Sequence, residues 1–109
     1  MSLLLEFSIS PLGKGESVSD DVAECLAIVR DSGLDYRLHA MGTVLEGEWD
    51  DVMAVVKKCR DCLRARHSRI FCIIKFDDRD GPGGRLERKV TSVLDKVDGS
   101  LNVVERVDD

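Results

Sequence analysis

Leu3, Leu5, Phe7 and Ile9 alternate with Leu4, Glu6, Ser8 and Ser10. Strict alternation predicts a β-strand with one apolar face. Pro11 and Gly13 end it, and Gly13-Lys14-Gly15-Glu16 reads as a loop. Ser17 or Ser19 then caps a helix, with Asp20 and Asp21 in its positive first turn. Val22, Cys25, Leu26 and Val29 recur at i, i+3, i+4 and i+7, one helical stripe that closes near Gly33. Tyr36, Leu38 and Ala40 alternate with Arg37, His39 and Met41, a second strand broken by Gly42. Thr43 to Glu46 reads as a third strand in a hairpin with the second, closed by Gly47.

Trp49 opens a second helix with the stripe Val52, Val55, Val56, Cys59 and Leu63. Asp50 and Asp51 lie early in it and Arg64 and Arg66 late, as the helix dipole favours. Arg69 to Asp77 is a fourth strand. Ile70, Cys72, Ile74 and Phe76 form one face of it, and Phe71, Ile73, Lys75 and Asp77 the other. A loop from Asp78 to Gly84 leads to a third amphipathic helix carrying Leu86, Val90, Val93, Leu94 and Val97, ended by Gly99. Leu101 to Val107 is a short apolar tail, a strand or a docking segment. The order β-α-β-β-α-β plus a helix, with right-handed crossovers, predicts a ferredoxin-like α+β sandwich: a four-stranded antiparallel sheet with two helices on one face.

The other face then carries Leu4, Glu6, Ser8 and Ser10, with Arg37, His39 and Met41, and Phe71, Ile73, Lys75 and Asp77. A solvated face is mostly polar. Leu4, Met41, Phe71 and Ile73 make this one amphipathic, the mark of an interface or a ligand site. Sheet-on-sheet pairing in a homodimer is the economical reading. Glu6 and Lys75 should pair across neighbouring strands, because partly buried charges need partners.

The chain has 109 residues, 43% of them apolar and 34% charged. That predicts one folded domain spanning residues 1–109. No apolar run approaches the ~18 residues of a membrane span. No basic region followed by an apolar stretch opens the chain, so a cytoplasmic protein with no membrane partner is expected. The net charge of −5 argues against nucleic acid as a partner. Cys25, Cys59, Cys62 and Cys72 are expected as thiols. Cys59-Arg60-Asp61-Cys62 is formally a CxxC, but it falls deep inside a predicted helix, whereas a redox pair wants a helix N-terminus. A zinc site would want a second close pair, so no metal is expected. No nucleophile–base arrangement presents itself, and no catalytic residue is assigned.

Several segments resemble one small family. They are Glu6-Phe-Ser-Ile-Ser-Pro-Leu-Gly13, Ser32-Gly-Leu-Asp-Tyr36, Met41-Gly-Thr-Val-Leu-Glu-Gly-Glu-Trp49 and Lys75-Phe-Asp-Asp-Arg79. The chain is similar over about residues 3–97 to the thiamine-binding protein family, related to bacterial hydroxymethylpyrimidine/thiamine-binding proteins. The resemblance implies a ferredoxin-like fold, dimers joined through their sheets, dimers pairing into tetramers, and thiamine or its pyrimidine moiety as ligand. It implies no enzymatic activity and no further cofactor. The Gly81-Pro-Gly-Gly-Arg85 stretch and the tail after Gly99 depart from the family pattern.

Thiamine carries a cationic thiazolium, which wants a carboxylate or an electron-rich face. Its flat aminopyrimidine wants an apolar slot with a few placed polar groups. Ser8, Ser10, Thr43, Glu46 and Asp77 are the candidate polar contacts, and Met41, Trp49 and Phe71 the candidate slot. The expected position is the sheet end where Ser10, Met41-Gly42-Thr43 and Asp77 meet, with Trp49 closing the slot and Asp77 or Glu46 facing the cation. His39 is a further candidate donor, and His67 is expected to be solvated. The Gly81–Arg85 loop leads into a helix N-terminus and is an alternative anion site. A small dimeric ferredoxin-like enzyme of the monooxygenase or isomerase type, an amino-acid-sensing regulatory domain and an RNA-binding module share the strand order. RNA-recognition domains place aromatics on their central strands, where this chain has Glu6 and Ser8.

Overall fold

The computed structural model describes residues 2–13, 15 and 18–104. The elements are β1 (Leu3–Pro11), α1 (Ser19–Asp31), β2 (Asp35–His39), β3 (Gly42–Gly47), α2 (Trp49–Arg64), β4 (Ile70–Asp77) and α3 (Arg85–Leu94). The strands form one antiparallel sheet in the order β2-β3-β1-β4. This is the ferredoxin-like sandwich with an additional C-terminal helix. Leu3, Leu5, Phe7 and Ile9 of β1 and Leu45 of β3 meet Cys25 and Val29 of α1 and Val52, Val55, Val56, Cys59 and Leu63 of α2 in a single buried core. The 3.6-residue stripes and the two-residue alternation therefore converge on one layer.

Four details differ from the sequence reading. β2 stops at His39, and Ala40 and Met41 form the turn. Gly42 continues the hairpin as the pairing partner of His39 instead of breaking it. Ser19 lies inside α1, whose N-cap residue is Val18 without a side-chain cap; Ser17 lies outside the described residues. Leu101–Val104 forms no strand and stays exposed, and the rest of that tail lies outside the described residues.

The third helix gives the largest departure. Residues paired directly across an antiparallel ladder share a face. Leu4 lies across from both Glu46 and Asp77, and Arg37 across from Val44. Glu46, Asp77 and Arg37 therefore project from the face that α1 and α2 leave uncovered. All three hold the start of α3. Glu46 accepts hydrogen bonds from the Arg85 N–H (3.1 Å), the Leu86 N–H (3.2 Å) and the Ser2 hydroxyl (2.9 Å). Arg37 bridges Asp35 at 2.8 Å and Glu87 at 3.0 Å. Asp77 pairs with Lys89 at 2.6 Å and Arg85 at 3.7 Å. So α3 is clamped onto one end of the open face.

The glycines of the Gly81–Arg85 stretch make this close approach possible. Gly84 has φ 74°, the left-handed region that glycine enters without a Cβ clash. A Cβ on Gly83 would lie 2.9 Å from the Ser2 hydroxyl. The N-terminal amides of α3, an anion site in the sequence reading, are taken by the chain's own carboxylate.

Burial alone would raise the Glu46 carboxyl, but the bonds it accepts from Arg85, Leu86 and Ser2 outweigh this and hold it below the ordinary 4.5. A carboxyl depressed on folding contributes stability that is present above the unfolded value and lost as pH falls through the folded one. Glu46→Ala should therefore cost about 1–3 kcal/mol, the penalty for leaving buried donors unpaired. Amide exchange should show that loss centred on α3, and in the wild type α3 should undock only below pH 4.5. An unchanged exchange pattern in α3 of the variant would contradict this.

Candidate functional site

The register of β1 sorts the candidate residues into two groups. Ser10 lies across from Phe71 and Ser8 across from Ile73, whereas Asp77 lies across from Leu4. Six residues of strand separate Ser10 from Asp77, about 20 Å. Asp77 and Glu46 therefore stand at the end opposite Ser10 and Met41, so the expected meeting of Asp77 with the Met41–Thr43 segment does not occur.

Trp49 is displaced as well. Its ring meets Phe76 edge-on, with centroids 5.3 Å apart and planes at 81°. Phe76 pairs with Leu5, whose side chain is in the core, so this contact lies on the α2 side of the sheet. Trp49 anchors the start of α2 and does not close a slot beside Met41. Glu46 and Asp77 are occupied by the α3 clamp. The Lys89 bond, more than the Arg85 charge, holds the Asp77 carboxyl below its ordinary range.

The structure brings Ser8, Met41 and Thr43 together. They line a cleft of about 180 Å³ between α1 and the β2–β3 hairpin. Phe7, Ile9, Val22, Leu26 and Leu38 form its apolar walls, and Cys25, His39, Ala40 and Gly42 complete it. Gly42 is needed here because a Cβ would lie 2.9 Å from the Phe7 carbonyl oxygen, closer than β1 and β3 allow. Thr43 pairs with Phe7 on the helix side of the sheet and is only 3% exposed. Its hydroxyl makes no side-chain hydrogen bond among the described residues. No wholly buried polar side-chain atom there lacks a partner, so this oxygen faces the cleft. Ser8 projects its side chain to the opposite side of the sheet, so it borders the cleft without turning its hydroxyl into it. Ser10 and Phe71 continue that face beyond the cleft, with Phe71 54% and Ile73 57% exposed.

His39 stands at the cleft mouth with both ring nitrogens engaged. Nε2 lies 3.0 Å from a Glu6 carboxylate oxygen, and Nδ1 accepts the Met41 N–H at 3.2 Å. The Met41 amide can only donate, so the proton of the neutral ring is on Nε2. Lys75 approaches the other Glu6 oxygen at 3.4 Å, the expected cross-strand pair with His39 added to it. His67, expected in solvent, instead bonds the buried Asp21 carboxylate at 2.9 Å; Arg66 shares that carboxylate at 3.1 Å. This ties the start of α1 to the end of α2.

The cysteines are free thiols. Contact with Cys59 and then burial push the Cys25 thiol up. The Cys62 thiol donates to Glu24 and is raised by that bond, and burial raises Cys72. Cys59 and Cys62 lie in the second half of α2, away from its N-terminus. Among the described residues no cluster of three or more His, Cys, Asp or Glu could hold a metal ion. Nor is any helix there long and apolar enough to cross a membrane.

The sequence reading missed Val22, Leu26 and Leu38 as cleft walls, because an apolar residue lining a cleft carries the same signature as a core residue. The one available signal was Leu38, an apolar residue in a short strand at the edge of the sheet.

The thiamine-binding protein family model matches residues 5–94. A UPF0045 protein of Mycobacterium bovis is 45% identical over 94 residues, which cover 85% of this chain and 92% of that protein. The crystal structure of a hypothetical protein from Methanocaldococcus jannaschii superposes with a TM-score of 0.79 at 33% identity, over 84% of this chain and 95% of that one. A Thermotoga maritima protein whose proposed role is in thiamine biosynthesis or salvage shares the fold, with a TM-score of 0.73 at 17% identity, over 85% of this chain and 99% of that one. With its fold, its motifs and its match over residues 5–94, the chain belongs to the thiamine-binding protein family.

Proposed function

We propose that the protein is a non-catalytic binding protein for thiamine or the related hydroxymethylpyrimidine, with the pyrimidine ring in the cleft between α1 and the β2–β3 hairpin. The observation that carries this reading is the Thr43 hydroxyl, without a side-chain hydrogen bond among the described residues, in a largely apolar cleft. A flat heterocycle with donors and acceptors on its edge needs apolar walls and a few fixed polar groups. Phe7, Leu26, Leu38 and Met41 supply the walls, and Thr43 the hydroxyl. Against the small-enzyme alternative, His39 already donates to Glu6 and accepts from Met41, so it is not a free general base.

At about 180 Å³ the cleft is smaller than the roughly 300–1,000 Å³ of pockets for drug-sized ligands. It suits one ring better than a whole two-ring molecule. A second copy laid on the open sheet face would cover the exposed Phe71 and Ile73. A homodimer, or a dimer of dimers, is therefore part of this reading.

Calorimetry with thiamine and with hydroxymethylpyrimidine tests the site. Thr43→Val and Leu26→Trp should each weaken binding about tenfold or more, the effect of one lost buried hydrogen bond or a filled slot. Asp77→Asn and Trp49→Ala should stay within about twofold, because their contacts are structural and remote. Full affinity in both cleft variants would remove the ligand from this site.

Oligomeric state is tested separately. Phe71→Arg places like charges across a sheet-to-sheet two-fold and should shift sedimentation from dimer or tetramer to monomer. A wild type that sediments as a monomer at micromolar concentration would rule out the pairing.

A further inference from the structure

The mouth of the cleft is formed by a turn, and the turn is held by a titratable side chain. Ala40 and Met41 link β2 to β3 as an edge hairpin. The Met41 N–H donates to Nδ1 of His39, two residues earlier. This is the connection that an aspartate or asparagine oxygen makes in an Asx-turn. Here the acceptor is an imidazole nitrogen that can take up a proton, and an asparagine oxygen cannot.

We infer that His39 is a positioning residue that closes the cleft mouth only while its ring is neutral, so that a second proton on Nδ1 releases the Met41 turn and loosens ligand binding. The proton would occupy the lone pair that accepts the Met41 N–H. Two donors would then face each other at 3.2 Å, and either the ring or the turn must move. Nε2 keeps its bond to Glu6 in both states.

Few charged groups surround the ring. Glu6 from β1 is the carboxylate beside Nε2. Lys75 from β4 partly neutralises Glu6 through its other oxygen. β3 places Gly42 and Val44 near the ring, while its Glu46, farther along this face, is held by the α3 amides; the α1 residues lining the cleft are Val22, Cys25 and Leu26. Arg37 shares the face but is held by Asp35 and Glu87. The histidine imidazole is the side chain whose charge changes between pH 5 and 8, the range over which the turn is tested.

Two experiments test the device, and only the second rests on the ligand reading above. In ligand-free protein, nuclear magnetic resonance follows the Met41 and Gly42 amides and the His39 ring from pH 8 to pH 5.5. The Met41 amide should titrate with the midpoint of the His39 ring in the wild type and stay flat in His39→Asn, whose amide oxygen keeps the acceptor without titrating. Glu6→Gln should move both midpoints to lower pH together. A Met41 amide indifferent to the His39 titration, or one that titrates equally in His39→Asn, overturns the inference. In the second experiment, hydroxymethylpyrimidine affinity should fall about fivefold between pH 8 and pH 5.5 in the wild type, the effect of one neutral hydrogen bond. It should fall by no more than about twofold beyond the ligand's own titration in His39→Asn, where no such bond is lost. Equal losses in the two proteins overturn the coupling. Failure to bind at any pH refutes the ligand reading and leaves the first experiment to decide the switch.

Discussion

The register of β1 is the constraint on which the rest of the molecule depends. β1 lies between β3 and β4, so each of its residues has a neighbour on both sides. Its odd-numbered side chains, Leu3, Leu5, Phe7 and Ile9, enter the core beneath α1 and α2. A slip of one residue would bring Glu6 into that core and expel Leu5. A carboxylate there would face only the apolar side chains of that core. The same register carries Phe71 to Ser10 and Asp77 to Leu4. It thereby decides which polar residues can share a ligand and which cannot.

Most of the fold was legible because it rests on short-range periodicity. The alternation along β1 and β4 and the stripes of α1 and α2 each reflect one element against one core. Periodicity misjudged the end of β2, where Ala40 and Met41 keep the alternation yet turn the chain. A tight hairpin is set by which residues pair, here His39 with Gly42, and the pattern of apolar residues does not encode that. Contacts between distant segments were illegible for the same reason. The Asp21–His67 bond spans 46 positions, and the Glu46–Leu86 bond spans 40. Thr43 could not be assigned its face until its partner Phe7 was known, because Thr43–Glu46 has too few apolar positions to show which side is buried.

Glu46 and Asp77, the carboxylates expected to hold a cationic ligand, are committed within the chain, and so is Glu6. Glu46 is spent on the amides of α3, Asp77 on Lys89 and Arg85, and Glu6 on His39 and Lys75. A carboxylate shielded from water must have such partners, and charge-assisted bonds are the strongest available. A sequence shows that a carboxylate is present but not that a helix N-terminus forty residues later will claim it. The clamp of α3 is an example. The dipole at its start favours a negative group, and a tertiary contact supplies Glu46 where no local cap serves. In the proposed cleft the polar group on offer is the uncharged Thr43 hydroxyl, which can hydrogen-bond a heterocycle without the desolvation penalty of a bare charge.

The cleft therefore sits at the least reinforced part of the sheet. β2 is an edge strand of five residues with a ladder on one side only. Edge elements open at lower free energy than the β1 ladders, which are bonded on both sides. α1 is fixed by contrast, with Cys25 and Val29 in the core and Asp21 tied to Arg66 and His67. The cleft thus has one rigid wall and one compliant wall. A ligand gains apolar contact from both, but the cost of ordering the hairpin is deducted from its affinity. Any interaction that orders the hairpin beforehand lowers that cost. The bond from the Met41 amide to His39 does so from within one chain, and a second copy lying along Phe71 and Ile73 would do so from outside.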